Sequence, residues 1–365
     1  MSNENLNENY VELNSEDFKK EFKARNSDMK DELKSVKFPE HIIYRLYGDE
    51  KVGLRFKFQK QIGIKMGDTK ASNMQEDEAC FEAWATIIYT HYLKTSGKVE
   101  LSAAFDIDPD WRKYVNHPHY GRFLYRALRF SQQYEWFSLD KSLESEVEKF
   151  DEYLKSKKPF INNSPKKECS KNTSGLEAFV ESIFAKTNSP GNKSLKERLG
   201  LKNVEIYRQL PVGLFKNKKA ATNQIFAHNK AAIDLWTIKD DIFYPIELKA
   251  DNRKVGAITE IFFYSNYAFD LFIKTNDKAS PFILDTEGNK RGYDQIKEQS
   301  KNLKKVRGFL LLDEANPSED RKGSNHPLIT DEVIDALNNT KHGSPDIEYG
   351  KILYTLAIRV AKDNN

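Results

Sequence analysis

The sequence predicts an α/β protein, and three observations support that fold class. Two runs rich in β-branched and aromatic residues, Ala231–Ile238 and Ile242–Lys249, flank a short polar turn, which is typical of a β-hairpin. The stretch Val255–Ile273 is apolar nearly all round, so we expect a buried helix packed across the sheet. Further strand and helix patterns on both sides of this region predict mixed strands with helices on both faces.

The earlier half of the chain predicts an N-terminal α+β domain over residues 1–155. We expect Ser15 to be the N-cap of its first helix, because serine accepts a hydrogen bond from a free N–H of the first turn. The predicted helices are Ser15–Val36, Glu76–Leu93, Tyr120–Gln133 and Leu143–Lys155, and the predicted strands are Ile42–Leu46, Gly53–Phe58, Gln61–Met66 and Val99–Phe105.

The stretch 156–173 is rich in Lys, Asn, Ser and Pro and shows no apolar periodicity, so we predict a linker there. Residues 174–365 then form the second predicted domain, which contains the hairpin. Its other predicted elements are a helix at Gly175–Lys186, a strand at Val204–Gln209, a strand at Arg307–Asp313, a helix at Asp331–Asn338 and a strand at Ile352–Val360.

Length and composition exclude several classes of protein. The chain has 365 residues, enough for about two domains, and a net charge of only +3, which argues against a histone-like binder of phosphates. Cys80 and Cys169 are its two cysteines, so a disulfide framework or a zinc ribbon is excluded. There is no signal-peptide pattern and no apolar run long enough to cross a bilayer, and we expect a cytoplasmic protein without membrane contact.

The predicted hairpin brings three ionisable residues together. A turn centred on Asp240 and Asp241 places Asp234 opposite Glu247, and Lys249 shares the face of Glu247 because side chains alternate along a strand. Two neighbouring carboxylates repel each other and are costly to bury unless a cation lies between them. Oxygen ligands without nearby His or Cys favour Mg²⁺ or Mn²⁺, so the hairpin is a candidate metal site.

The pattern Asp234…Glu247-Leu248-Lys249 resembles the core motif of the PD-(D/E)xK phosphodiesterases, the restriction-endonuclease-like nucleases. The resemblance covers the C-terminal half, and Ile233 stands where the literal motif has proline. It implies a restriction-endonuclease-like mixed sheet, a metal held by Asp234, Glu247 and the Leu248 carbonyl, and a lysine that positions the attacking water. It also implies a helix carboxylate in the site.

Two acids are available for the helix carboxylate. Glu177 lies closer to the edge of the apolar stripe than Glu181 does, so we prefer Glu177 and keep Glu181 as the alternative. The alternative for the whole cluster is a structural salt bridge between Lys249 and two acids at a sheet end.

The first half offers a candidate nucleic-acid surface. Arg122, Arg126 and Arg129 share one face of a predicted helix, where arginines among aromatic residues can follow a phosphate backbone. The alternative is a solvated helix face that binds nothing.

The leading functional hypothesis is a Mg²⁺-dependent nuclease acting on DNA, with an N-terminal domain that selects substrate or recruits a protein partner. RNA as the substrate would need the same chemistry. The family resemblance also suggests a place in prokaryotic defence or restriction. The alternative function is a catalytically inactive nuclease-like module that serves as a nucleic-acid-binding or assembly subunit. The chain carries no Walker loop and no dinucleotide fingerprint, so ATP-driven and dinucleotide chemistry are disfavoured.

Overall fold

The fold is mixed α/β, as predicted, with three sheets flanked by helices. It is known from a computed structural model. The structure describes residues 9–58, 80–105, 118–156, 159–169, 175–226, 231–273, 282–314, 323–340 and 346–355. No helix within these ranges is both long and apolar enough to cross a membrane.

The first sheet is built by the N-terminal half and has five strands. Its strands, which neighbour one another in chain order, are β1 (Val11–Leu13), β2 (Ile42–Tyr47), β3 (Lys51–Phe58), β4 (Lys98–Phe105) and β5 (Phe137–Leu139). The helices of this half are α1 (Ser15–Arg25), α2 (Phe81–Ile87), α3 (Pro118–Gln133) and α4 (Lys141–Lys155). Alternate residues of β2, β3 and β4 are buried, which anchors the sheet on these helices.

Two details of the first helix differ from the prediction. The N-cap is Asn14, whose side chain accepts from the Asp17 amide at 2.9 Å, and Ser15 is the first helical residue. The helix ends at Arg25 and does not continue to Val36, since only short 3₁₀ turns follow it. The strand predicted at Gln61–Met66 lies outside the described residues.

The second sheet carries the hairpin and also has five strands. They are β7 (Tyr207–Pro211), β10 (Ala232–Lys239), β11 (Ile242–Lys249), β13 (Lys305–Asp313) and β14 (Ile347–Tyr354). Their order is β14-β13-β11-β10-β7, in which β11, β13 and β14 run parallel and β10 is antiparallel to both of its neighbours.

Helices cover both faces of this second sheet. Helix α7 (Gly256–Phe272) packs on one face, where Phe243 and Phe272 are in ring contact with centroids 5.0 Å apart. Helix α5 (Leu176–Ala185) packs on the other face, where Val180 and Leu248 belong to one buried hydrophobic cluster. The remaining helices are α6 (Pro190–Arg198), α8 (Tyr293–Gln299) and α9 (Asp331–Asn338).

The third sheet is small and includes part of the stretch predicted to be a linker. Its strands are β6 (Phe160–Asn162), β8 (Leu214–Lys216), β9 (Gln224–Phe226) and β12 (Phe282–Ile283), in the order β12-β6-β8-β9. The Phe160 side chain is fully buried, although it lies in a stretch rich in Lys, Asn and Ser. Residues Phe160–Asn162 of the predicted linker therefore form a strand, and the division into two domains stays a prediction.

The two halves share one hydrophobic core. Helix α3 packs against α7, with the Phe130 and Phe262 rings 5.1 Å apart, and the Tyr134 hydroxyl donates to the Leu337 carbonyl at 2.7 Å. Helix α7, which packs against the hairpin sheet, is thus held in place by the N-terminal half. Substitutions in either half can therefore alter its position.

Candidate functional site

The β10–β11 hairpin has the register that the sequence predicts. The paired residues run from Lys239 opposite Ile242 to Leu235 opposite Ile246, and Asp234 and Glu247 come directly after the last pair. The turn residue Asp240 has a φ of 57°, in the left-handed region that Asp tolerates in tight turns. The two carboxylates therefore start from positions next to the last pair, at the end of the hairpin farther from the turn.

Lys249 is at the centre of a group of acids. Its Nζ lies 2.5 Å from Glu247 Oε1, 2.9 Å from Glu260 Oε2 and 4.0 Å from Glu177 Oε1. Burial would lower the pKa of Lys249, but the surrounding carboxylates overcome this and hold that pKa well above its ordinary value. Lys249 is therefore a permanently charged donor.

Glu247 is buried and only partly satisfied. It is 2% exposed, and its Oε2 has no hydrogen-bond partner among the described residues. Burial raises the pKa of Glu247 well above its ordinary value, and the charges of Asp234 and Glu260 raise it further. A buried carboxylate oxygen without a partner is costly, so this position favours a bound cation or a proton.

Asp234 is half-buried and faces the same group. Its Oδ2 accepts from the Leu248 amide at 3.0 Å, and its Oδ1 lies 3.4 Å from Gln209 Nε2. Burial raises the pKa of Asp234 to about 7, although the charge of Lys249 opposes the rise. Near neutral pH, Asp234 is therefore at the point where it exchanges a proton.

The structure separates the two acids of α5. Glu181 is buried and accepts from Arg208 Nε at 2.9 Å and from Gln209 Nε2 at 3.0 Å. The Glu177 side chain is 43% exposed and faces Lys249, and burial of its carboxyl raises its pKa. Glu177 is thus the α5 acid that faces Lys249 from the solvent side, while its role remains a prediction.

Glu260 belongs to this group and is not among the residues that the sequence predicts for the site. It is buried on α7 and forms an ion pair with Lys249. A signal was present, because a glutamate within an almost wholly apolar helix must be paired when it is buried. The sequence does not show which residue across the sheet provides the partner.

The backbone of Lys249 is also held by residues distant in sequence. Its carbonyl accepts from Ser324 Oγ at 2.6 Å and from the Tyr354 hydroxyl at 3.0 Å. Ser324 Oγ in turn accepts from the Asp313 amide at 2.6 Å. These hydrogen bonds anchor the end of β11, and no local sequence pattern indicates them.

The arginines of α3 do not form the predicted nucleic-acid surface. Arg126 is fully buried, and its Nε donates to Glu82 Oε1 at 2.6 Å. Arg129 Nη2 lies 2.6 Å from Asp270 Oδ2 of α7. A guanidinium that is enclosed by protein and paired with an acid is not available to a phosphate.

Arg122 is buried as well, and burial together with the charge of Arg126 lowers the pKa of Arg122 to about 10. The prediction of a phosphate-contacting face is therefore wrong for this helix, and so is the alternative of a solvated face. The physical reason is that α3 lies against α7, which buries Arg122 and Arg126 and pairs the partly exposed Arg129 with Asp270.

The charged side chains fit Mg²⁺ only in part. Within the described residues, no group of three or more His, Cys, Asp or Glu side chains is arranged to hold a metal ion. Mg²⁺ usually takes one or two carboxylates and completes its shell with waters and substrate phosphates. Asp234 and Glu247, with the unpartnered Glu247 Oε2, provide that smaller donor set. Comparison with protein-family models, curated proteins and solved structures finds no match to this chain.

Proposed function

We propose that the chain is a metal-dependent nuclease that hydrolyses phosphodiester bonds of DNA, on a restriction-endonuclease-like C-terminal fold. The observation that supports this is the excess of acids around one buried lysine at the end of the hairpin. Strongly shifted pKa values of this kind concentrate at functional sites. Together with the resemblance of the Asp234…Glu247-Leu248-Lys249 motif, the cluster favours chemistry on a phosphate.

Each residue has a role in this proposal. Asp234 and Glu247, with the Leu248 carbonyl and Glu177, would hold Mg²⁺ or Mn²⁺. Such an ion, when bound, stabilises charge on a phosphate and lowers the pKa of water.

Lys249 donates to the phosphate oxygens or to the attacking water, because its raised pKa keeps it protonated. Glu260 holds the ammonium of Lys249 in place through its ion pair. Glu177, partly open to solvent, is the carboxylate that we expect to accept the proton of that water.

The test is a cleavage assay with supercoiled plasmid, linear duplex and RNA, with Mg²⁺ or with EDTA. We expect Mg²⁺-dependent cleavage of DNA that Glu247→Gln lowers at least about a hundredfold, the usual scale for a lost electrostatic contributor. Glu348→Gln is the matched control, because Glu348 lies on the same sheet but pairs with Arg307. Equal cleavage by wild type and Glu247→Gln would contradict the proposal.

A second function is favoured by one contact. Lys249 Nζ bridges Glu247 and Glu260, and so an ammonium already neutralises part of the charge that a metal would neutralise. This arrangement suits a catalytically inactive module that binds nucleic acid or a protein partner. Such a module predicts nucleic-acid binding that is unchanged by Mg²⁺ and by Lys249→Met. The nuclease predicts thermal stabilisation by Mg²⁺ that Asp234→Asn removes.

A further inference from the structure

A basic groove lies beside strand β7, outside the group of acids around Lys249. We define it by Lys166, Lys167, Lys219 and Arg291, with Pro211 and Phe215 as its apolar wall. Its cavity has a volume of about 620 Å³. We propose that this basic groove binds the phosphate backbone of the nucleic-acid strand next to the bond that is cut. The inference rests on the proposed function and names a substrate-binding surface for it.

The basic groove connects directly to the candidate site. Arg291 Nη1 donates to the Gln209 carbonyl at 2.8 Å, and Gln209 Nε2 lies 3.4 Å from Asp234 Oδ1. Pro211 of the groove wall is two residues further along the same strand. A nucleic-acid strand with one phosphate bound at Asp234 would therefore need only a short path to reach the basic groove.

Gln209 marks the junction between the groove and the site. It has a φ of 53°, a left-handed conformation that is unfavourable for glutamine within a strand. Strain of this kind persists where surrounding contacts impose it, and it concentrates at functional sites. Here Arg291 holds the Gln209 carbonyl while the side chain faces Asp234 and Glu181.

Two of the four cations are already balanced by acids. Lys219 forms an ion pair with the buried Asp285, which also binds Ser164 Oγ. Lys166 pairs with Glu287 at the surface. These pairs shape the groove and leave little charge for a ligand.

The other two cations supply the positive charge of the groove. Lys167 is exposed, and Arg291 donates to the carbonyls of Lys167 and Gln209. Within the part of the chain that the structure describes, no carboxylate lies within ion-pair distance of Lys167 or Arg291. A phosphodiester carries one negative charge per nucleotide and is the ligand that such a surplus attracts.

The groove is preformed by tight packing of the loop that carries Arg291. A Cβ on Gly292, which has a φ of 77°, would lie 2.3 Å from the Tyr207 ring. A Cβ on Gly288 would lie 2.6 Å from the Ser164 Cβ. This loop is already packed against its neighbours. Binding of a nucleic-acid strand would therefore cost little free energy for ordering the protein.

The experiment measures binding of a fluorescein-labelled 20-nucleotide strand by anisotropy, with cleavage silenced by Glu247→Gln in every protein. We expect Lys167→Glu to weaken binding about tenfold and to reduce the slope of log affinity against log salt by about one. Lys141→Glu is the matched control, since Lys141 is an exposed lysine at the start of α4, and it should leave both quantities unchanged. Equal affinities for the two variants would overturn the proposal, and so would polyglutamate competing as well as the strand.

A second measurement separates this inference from the proposed function. Wild type and Lys167→Glu, without the silencing change, are compared on bis(p-nitrophenyl) phosphate, which is too small to span the groove, and on the 20-nucleotide strand. We expect equal hydrolysis of the small diester and about tenfold slower cleavage of the strand by Lys167→Glu. Equal cleavage of the 20-nucleotide strand by wild type and Lys167→Glu would overturn the proposal that the groove binds it. If wild type cleaves neither substrate, the proposed nuclease function fails. The anisotropy result still decides whether the groove binds the nucleic-acid strand.

Discussion

Two buried groups of charges meet α7 at the neighbouring residues Thr259 and Glu260, and they differ in how their acids are paired. Between α2, α3 and α7, Arg126 forms an ion pair with Glu82, and Thr259 Oγ1 donates to Glu82 Oε2 at 3.0 Å. Both oxygens of Glu82 are bound, as a structural ion pair requires. This group explains how the N-terminal half is fixed to the helix behind the hairpin.

The group around the hairpin has more acids than cations. One ammonium, that of Lys249, faces Glu247, Glu260 and Glu177, and Glu247 Oε2 has no partner among the described residues. Burial raises the pKa of Asp234 to about 7. Burial is common to both groups, so the feature that distinguishes the hairpin is its unpaired carboxylate oxygen and its excess of acids, and perturbed groups of this kind concentrate at functional sites.

The largest expected effect lies in the Glu82–Arg126 ion pair. Arg126→Met would leave Glu82 buried without its cation, and we expect the free energy of unfolding to fall by about 3–5 kcal/mol. Mg²⁺ should not restore it. Urea unfolding measures the change.

A matched double variant sharpens this test. Glu82→Leu combined with Arg126→Met removes both charges, and it should recover much of the lost stability because no unpaired charge remains buried. If Arg126→Met alone unfolds like wild type, the ion pair does not hold the two halves together.

At the hairpin we expect a substitution to raise the free energy of unfolding instead of lowering it. Glu247→Gln removes a carboxylate that burial and its acidic neighbours disfavour, so the metal-free protein should gain about 1 kcal/mol of stability at pH 8. Thermal unfolding with EDTA measures this gain, and Glu348→Gln serves as the control. A loss of stability on Glu247→Gln would show that Glu247 acts as a structural partner of Lys249.

A pH titration tests Asp234. Because its pKa in the folded protein is about 7, above the ordinary carboxyl value of 3.8, the folded state binds more protons than the unfolded state between these limits. The stability of the metal-free protein should therefore fall as pH rises from about 4 to about 7, by roughly 1 kcal/mol after allowance for solvent screening. In Asp234→Asn this component should vanish. An unchanged pH dependence in that variant would contradict the assignment.

The smallest expected effects are those of substituting Glu177 and Glu181, and they distinguish the roles of these two acids of α5. Glu177→Gln should lower cleavage several-fold with little change in stability, because Glu177 is partly exposed and only near Lys249. Glu181→Gln should cost about 1 kcal/mol of stability, because it weakens the contact with Arg208. The reverse pattern would move the helix carboxylate to Glu181.

The sequence predicted the parts of the fold that depend on local pattern. The hairpin register follows from symmetry about Asp240 and Asp241, and the buried helix Gly256–Phe272 follows from its apolar composition. Helix Asp331–Asn338 was predicted at its observed bounds, and its N-cap Thr330 binds the Val333 amide.

Contacts between distant segments could not be predicted in the same way. Three-residue strands such as β6 are too short to show a period, and their partners are far away in the chain. The arginines of α3 were predicted to form a nucleic-acid surface, because the sequence of one helix does not show that α7 places Asp270 beside it. The Glu260–Lys249 pair likewise depends on how α7 crosses the sheet.

The most direct test of the central claim is a crystal structure of the protein soaked in Mn²⁺, with anomalous scattering measured at the hairpin. The unbalanced charge around Lys249 predicts an anomalous peak between the carboxylates of Asp234 and Glu247, with Lys249 Nζ moved away from Glu247. It also predicts no peak in Asp234→Asn. An occupied peak elsewhere, or no peak while Lys249 still bridges Glu247 and Glu260, would contradict a metal site at this hairpin.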